Sequence, residues 1–131
     1  MFHPIEVPFD CVMLFNVLNL KEGVTVEDVE LTMGEMCNVV KDTYGNDNGG
    51  FIAGQVFKNS GFVSAEGSVG APVPEGQTPH DLVIVTYWQS FEQHEASHAD
   101  AAFKEKFDHL GTFCESTHEL GYELLWQGVP D

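Results

Sequence analysis

Residues 11–45, CVMLFNVLNLKEGVTVEDVELTMGEMCNVVKDTYG, have the pattern of a strand, a turn and a helix in succession. Residues 11–20 are rich in valine, leucine, methionine and phenylalanine and precede a Lys-Glu-Gly turn, which is typical of a β-strand. Thr25 and Asp28 have the spacing of a capping box, and apolar residues then recur every three or four positions. The stretch therefore predicts a strand followed by an amphipathic helix that ends near Gly45.

The rest of the chain alternates strands and helices in a similar way. Three further segments have the β-branched and aromatic composition of strands: residues 51–57, 81–88 and 122–127. Ser90 opens a second helix, and Asp100 has the character of a new N-cap, so we expect this helix to bend near Ala99. The resulting order predicts an α+β fold, the ferredoxin-like split βαββαβ arrangement with an antiparallel sheet.

The length of 131 residues suits one domain. We therefore predict a single domain over residues 1–131, in which residues 1–9 are an N-terminal extension. Residues 63–79 are expected to form a long loop between the two middle strands, and this loop could act as a lid or as an arm in a dimer.

Acidic residues dominate the charge of the chain. There are 21 acidic residues against 5 lysines and no arginine, which gives a formal net charge of -16. Such a surface repels phosphate backbones and anionic membranes, so neither nucleic acid nor a membrane is an expected partner. The missing arginine also disfavours a strongly anionic substrate. A small apolar or aromatic molecule is the expected ligand.

The cysteines and the N-terminal segment indicate a reducing compartment. Cys11, Cys37 and Cys114 are odd in number and lack C-x-x-C spacing, which predicts free thiols rather than disulfides or a zinc ribbon. The N-terminal segment has no basic region, and the longest apolar run is too short to cross a bilayer. A cytoplasmic location is therefore expected.

Two of the predicted strands are apolar on both faces. Residues 12–15 and 82–85 are apolar at every position, although one layer of helices covers only one face of a sheet. Either a second layer covers the other face, or one protomer simply has a generous apolar interior. A second copy of the chain is the most economical cover, so we predict a homodimer.

Several short motifs, in their order and spacing, resemble those of a known superfamily. They are Asn16-Val17-Leu18 with Lys21-Glu22-Gly23, Gly50-Phe51, Gly54-Gln55-Val56, and the run VTYWQS at 85–90 leading to Phe103-Lys104. Together, over residues 10–127, they resemble the antibiotic biosynthesis monooxygenase-like branch of the dimeric α/β-barrel superfamily. The resemblance implies a dimeric α/β barrel whose protomers pair sheet to sheet, each with a pocket between its sheet and its helices.

The same resemblance bears on activity and cofactors. The branch includes cofactor-independent quinone-forming oxygenases, and haem-degrading enzymes that use an asparagine on the first strand with a tryptophan and a histidine on the second helix. Asn16 falls at the asparagine position, but Ser97 and Phe107 occupy the other two positions. The resemblance therefore implies a cofactor-independent monooxygenase for aromatic or polyketide-like substrates, with no haem turnover and no bound cofactor.

The candidate catalytic residues are polar side chains near apolar ones. Asn16 interrupts an apolar strand, so its amide either anchors neighbouring backbone or binds an oxygen of a ligand. His94 and His98 share one helix face, where either could accept a proton from a phenolic substrate or be an ordinary, partly exposed helix histidine. We expect Asn16 and at least one of these histidines to line the same cavity. Four aromatic side chains are candidates for its substrate-binding wall, or else for plain core: Trp88, Tyr87, Tyr44 and Phe91.

The segment His94-Glu95-Ala96-Ser97-His98 matches the zinc-protease pattern H-E-x-x-H. In such enzymes the two histidines bind the metal and the glutamate acts as a base, which makes a zinc-dependent hydrolase a remote alternative. Lys104 occupies the position at which one class of these enzymes has a third histidine. We therefore expect no metal ligands in this segment.

Two classes of function stay open. The first is a small-molecule enzyme of the monooxygenase-like group, and the second is a non-catalytic small-molecule-binding or stress-responsive barrel protein. An enzyme requires convergent polar side chains inside the pocket, whereas a binding protein needs only apolar walls. The directions of Asn16 and the two histidines therefore separate the two classes.

Overall fold

A computed structural model describes residues 2–77 and 80–131. Its strands are β1 (Val12–Leu20), β2 (Phe51–Lys58), β3 (Phe62–Val63), β4 (Val69–Ala71), β5 (Leu82–Trp88) and β6 (Cys114–Glu123). Its helices are α1 (Val26–Tyr44), α2 (Phe91–Ser97) and α3 (Ala101–Gly111). Strands β2, β5, β1 and β6 form one antiparallel sheet in that order, and β3 pairs with β4. The predicted α+β class with an antiparallel ferredoxin-like sheet is confirmed.

The helices begin where their capping residues predict. The Asp28 carboxylate accepts a hydrogen bond from the Thr25 backbone N–H at 2.8 Å, which belongs to the capping box of α1. Ser90 caps α2, and Asp100 accepts a hydrogen bond from the backbone N–H of Phe103 at 3.0 Å at the start of α3. The bend predicted near Ala99 is therefore a complete break between two helices. Within the described ranges, none of the helices is long and apolar enough to cross a lipid bilayer.

The last strand begins well before its predicted position. The prediction placed it at residues 122–127, whereas β6 covers Cys114–Glu123 and pairs with β1 as an edge strand. Most side chains of β6 are exposed, so its sequence, CESTHELGYE, lacks the apolar run on which the prediction relied. Helix α3 ends at Gly111, and β6 begins three residues later at Cys114.

The segment predicted as a long loop contains secondary structure. Strands β3 and β4 form a hairpin that overlaps the first half of residues 63–79. Gly67 lies between them with a φ of 89°, a conformation that glycine adopts without strain. Thr78 and Pro79, also part of the predicted loop, lie outside the described residues. A role as lid or dimer arm stays a prediction.

The hydrophobic core lies between one face of the sheet, here called the inner face, and the helices. Its most buried members come from both layers: Leu18, Leu82 and Ile84 from the sheet, and Val29, Met33 and Leu110 from the helices. Strand residues alternate between the two faces, so Leu14 and Leu18 of β1 face the helices and Val17 faces away from them. The inner face therefore provides the floor of any pocket under the helices.

The opposite face of the sheet, here called the outer face, is also apolar. Val17 and Val85 are buried on it, while Phe57, Leu120 and Tyr122 are about half exposed. The two-sided apolar character predicted for the central strands is thus present.

The three cysteines are unpaired, as predicted. Cys11, Cys37 and Cys114 are free thiols, and burial is the main cause that raises the pKa of each one above its ordinary value. These thiols therefore stay protonated at neutral pH and make poor nucleophiles.

Candidate functional site

A cavity of about 560 Å³ lies between the inner face of the sheet and the helices. Its walls are largely apolar and come from both layers: Leu18, Ile84, Trp88, Met36, Val40, Phe103 and Phe107. Phe2 and Ile5 of the N-terminal segment also line it. Ligand sites in proteins commonly occupy about 300–1,000 Å³, so this cavity can hold an aromatic molecule of more than one ring.

Four polar side chains converge on this cavity. Asn16 on β1 and Glu119 on β6 are directly opposite in the antiparallel register, and Asn16 Nδ2 donates a hydrogen bond to Glu119 Oε2. His94 on α2, and His98 just beyond its last residue, reach the same carboxylate from the helix layer. All four line the cavity. The structure therefore brings Asn16 and both histidines together, and we call these four residues the polar cluster.

Three atoms of the polar cluster form a compact triangle. His94 Nε2 lies 3.4 Å from Glu119 Oε1, and His98 Nε2 lies 3.5 Å from the same oxygen. The two Nε2 atoms are 3.0 Å apart. The side chains of His94 and Glu119 are 14% and 24% exposed, against 43% for His98. The triangle is thus mostly shielded from water and is open at His98.

The surroundings of Glu119 favour its charged form. Burial acts to raise the pKa of its carboxyl, but contact with His94, the hydrogen bond from Asn16 and the positive charge that either histidine carries when protonated outweigh it. The pKa therefore lies below its ordinary value, and Glu119 is a carboxylate at neutral pH.

Trp88 is the predicted aromatic residue that lines the cavity. Its side chain is 2% exposed, and its ring lies edge-on to the His94 ring with 5.3 Å between the centroids. Its Nε1–H donates a hydrogen bond to Thr86 Oγ1 at 2.9 Å, which satisfies the buried donor. Trp88 thus forms the wall beside the polar cluster.

The other three predicted wall residues lie elsewhere, which corrects the prediction. Tyr44 packs against Trp88, and its hydroxyl donates a hydrogen bond to the carboxylate of Asp100, the N-cap residue of α3. Phe91 lies over Gly121, where a Cβ atom would stand 2.9 Å from the Phe91 ring. Tyr87 lies on the outer face, because adjacent strand residues point to opposite faces and its neighbour Trp88 points inward.

The H-E-x-x-H segment turns its glutamate away from the site. Glu95 is exposed, and the described residues that line the cavity include His94 and His98 but not Glu95. The carboxylate beside the histidines is Glu119 from β6. The remote zinc-hydrolase alternative needs Glu95 as its base. Because Glu95 does not line the cavity, the site lacks that base.

Glu119 is the functional candidate that the sequence analysis missed. The last strand was predicted to begin after it, so Glu119 had no place in the predicted sheet. A signal was present: Leu120 and Tyr122 alternate with Glu119 and Gly121, the period of a strand with one apolar face. Extending the strand in that period and pairing it with β1 would have brought Glu119 to the inner face.

Comparisons with known proteins identify the fold by structure rather than by sequence. No protein-family model matches the chain, and no curated protein sequence matches it. SnoaB, a cofactor-independent oxygenase from Streptomyces nogalater, matches with a TM-score of 0.61 and 11% identity, over 93% of this chain and 99% of its own. Hydroxynitrile lyase from Passiflora edulis matches with a TM-score of 0.61 and 12% identity, over 94% and 100%. A dimeric ferredoxin-like protein of unknown function from Thermobifida fusca matches with a TM-score of 0.59 and 10% identity, over 93% and 100%.

These likenesses show the ferredoxin-like fold, in a group of structures that includes dimeric proteins and a cofactor-independent oxygenase. The ferredoxin-like fold that the resemblance implied is thereby confirmed. The chain is a ferredoxin-like α+β protein with a largely apolar cavity that two histidines, a carboxylate and an amide also line.

Proposed function

We propose that this protein is a small-molecule enzyme of the monooxygenase-like kind, which binds an aromatic or polyketide-like molecule and removes a proton from it. One observation carries the proposal: the polar cluster converges on a cavity whose walls are largely apolar. A non-catalytic or stress-responsive binding protein would need only the apolar walls. Four converging polar side chains therefore favour the enzyme.

His94, His98 and Glu119 act in this proposal as one proton-accepting unit. Glu119 Oε1 is within 3.5 Å of both Nε2 atoms, so one carboxylate stabilises the imidazolium that forms on either ring. The 3.0 Å separation of the two nitrogens lets the rings share the proton. Asn16 orients the carboxylate and positions the substrate oxygen.

The proposed reaction needs no bound cofactor. Removal of a proton from an acidic CH2 group conjugated to aromatic rings gives a carbanion that reacts with dioxygen directly. The CH2 group becomes C=O, and the second oxygen atom leaves with the two hydrogens as water. The carbon is oxidised and dioxygen is the oxidant. The substrate therefore supplies the electrons, and the protein supplies a largely apolar cavity and the proton acceptor.

Binding in the cavity is tested with 4-nitrophenol, a small aromatic phenol that quenches tryptophan fluorescence. The chain has 2 tryptophans, so a Trp126→Phe background leaves Trp88 as the reporter in the cavity wall. We expect saturable quenching at one ligand per chain. Asn16→Leu should weaken binding by about 1–3 kcal/mol, because a ligand oxygen loses its partner.

If Asn16 has only a structural role, Asn16→Leu should affect stability rather than ligand affinity. The Asn16→Leu change would then lower the free energy of unfolding, through the lost hydrogen bond to Glu119, and leave the affinity of the folded protein unchanged. Urea unfolding of the same variant measures the first quantity, and the fluorescence titration measures the second. Unchanged affinity in folded protein contradicts the assignment of Asn16 to the substrate site.

We also propose that the outer face is the interface of a homodimer, which would close two sheets into an α/β barrel. The apolar residues on this face support the proposal, and so do the structural neighbours described as dimeric. Specific dimer interfaces bury about 1,200–2,000 Å², which is within reach of two facing four-stranded sheets.

Leu120→Lys should convert the protein to monomers, because it buries an unpaired ammonium in the interface. The matched control is Leu31→Lys, since Leu31 is an exposed leucine on α1, away from the sheet. Sedimentation velocity at micromolar concentration should give twice the chain mass of 14.5 kDa for the wild type and the control. A wild-type protein that sediments at 14.5 kDa contradicts the proposed dimer.

A further inference from the structure

We propose that His94 Nε2, His98 Nε2 and Glu119 Oε1 bind a divalent metal ion of the zinc class. These three atoms are separated by 3.0, 3.4 and 3.5 Å. Bonds of about 2.0–2.1 Å in a tetrahedral zinc site put neighbouring ligand atoms about 3.3–3.4 Å apart. Bonds of about 2.1 Å in an octahedral site put them about 3.0 Å apart. The triangle therefore has the edges expected of three ligands on one ion.

Hydrogen bonds alone do not satisfy this triangle. A neutral imidazole Nε2 either donates a hydrogen or accepts one, and the carboxylate oxygen only accepts. If His98 Nε2 donates to His94 Nε2, the His94 nitrogen is an acceptor and has no hydrogen to donate to Glu119. If His94 Nε2 instead donates to Glu119, it has no lone pair with which to accept from His98. A cation at the centre is contacted by all three lone pairs at once. The geometry thus fits a shared ion better than a network of protons between neutral rings.

The surroundings are those of a metal site with open positions. Asn16 donates to Oε2 of Glu119, which leaves Oε1 directed at the histidines. Two histidines and one carboxylate are the ligands of catalytic zinc sites and of open non-haem iron sites. The remaining coordination positions would face the cavity, where water or a ligand oxygen can bind.

This metal site does not depend on the proposed function. It replaces the expectation that His94 and His98 bind no metal, and it differs from the H-E-x-x-H hydrolase. The third ligand comes from β6, far along the chain, and the exposed Glu95 has no part in it. The ion and the substrate proton use the same nitrogen lone pairs. Metal binding and proton acceptance therefore exclude each other: the loaded protein has no free histidine lone pair, and the metal-free protein accepts the proton.

The test is a titration of chelator-treated protein with Co²⁺ and Zn²⁺. Visible absorption should show the d–d bands of cobalt held by nitrogen and oxygen ligands, saturating at one ion per chain, and Zn²⁺ should displace them. Calorimetry gives the Zn²⁺ affinity. Asn16→Leu should weaken the Zn²⁺ affinity by about 10- to 100-fold, the usual effect of losing a residue that hydrogen-bonds to a metal ligand. Glu119→Gln removes a ligand itself and should weaken the affinity at least as much.

Two comparisons separate this site from adventitious binding to the acidic surface. His109→Ala removes a histidine that packs on Phe113 at the end of α3 and should keep wild-type affinity. The double variant His98→Ala, Glu119→Gln should lose the saturable cobalt spectrum while its circular dichroism stays that of a folded protein. Wild-type affinity in the double variant, or no saturable binding in the wild type, overturns the proposal. The 4-nitrophenol titration is run without metal, so either proposal can fail while the other stands.

Discussion

Replacing His94 with alanine is expected to slow proton removal from a bound carbon acid by about 10²- to 10⁴-fold, the usual contribution of a positioned acid–base group. His94 is the more buried of the two histidines and contacts both Glu119 Oε1 and His98 Nε2, so its loss breaks the proton-accepting unit. The measurement is deuterium exchange at the acidic C–H bonds of 2-tetralone in D2O, followed by NMR with chelator-treated protein.

The matched control for this prediction is His109→Ala, which removes a histidine outside the cavity. Its exchange rate should equal that of the wild type. Equal rates for His94→Ala and the wild type would mean that the exchange takes place elsewhere on the protein, and His94 would lose its proposed role.

Replacing Trp88 with alanine is expected to destabilise the protein by about 3–5 kcal/mol, the cost of truncating a large buried aromatic residue. Trp88 is 2% exposed and packs against Tyr44, Phe51 and His94, so its removal leaves a void beside the polar cluster. Trp126 is 80% exposed, and Trp126→Ala should change stability by no more than about 0.5 kcal/mol.

Urea unfolding of the two variants under the same conditions checks this difference. A conservative Trp88→Phe change should recover part of the lost stability, because the phenyl ring refills part of the void. Similar midpoints for Trp88→Ala and Trp126→Ala would contradict the packing described for the cavity wall.

The parts of the fold that depend on local chemistry could be predicted from the sequence. Thr25, Ser90 and Asp100 each begin a helix, because a capping side chain interacts with backbone only a few residues away. The buried central strands were also predictable, since they are apolar at nearly every position. Strand β6 was not, because an exposed edge strand is held by its pairing with β1 rather than by its own hydrophobicity.

The candidate site was predictable only where one strand or one helix turn brings residues together. His94 and His98 are neighbours on consecutive helix turns, and Asn16 stands out in an apolar strand. Glu119 joins them through the antiparallel register of β1 and β6, which depends on contacts distant in sequence. Tyr87 was misplaced although the sequence contained the answer: it is next to Trp88 on a strand, so only one of the two can face the cavity.

In the proposed function, the polar cluster takes a proton from an aromatic molecule bound in the cavity. The most direct test is the visible absorption spectrum of 4-nitrophenol bound to metal-free protein, at a pH where the free ligand is mostly neutral. We expect the wild type to bind the yellow nitrophenolate, because the proton passes to the His94–His98–Glu119 unit, and we expect His94→Ala to bind the neutral phenol. A spectrum of neutral 4-nitrophenol in the saturated wild-type protein would contradict the claim.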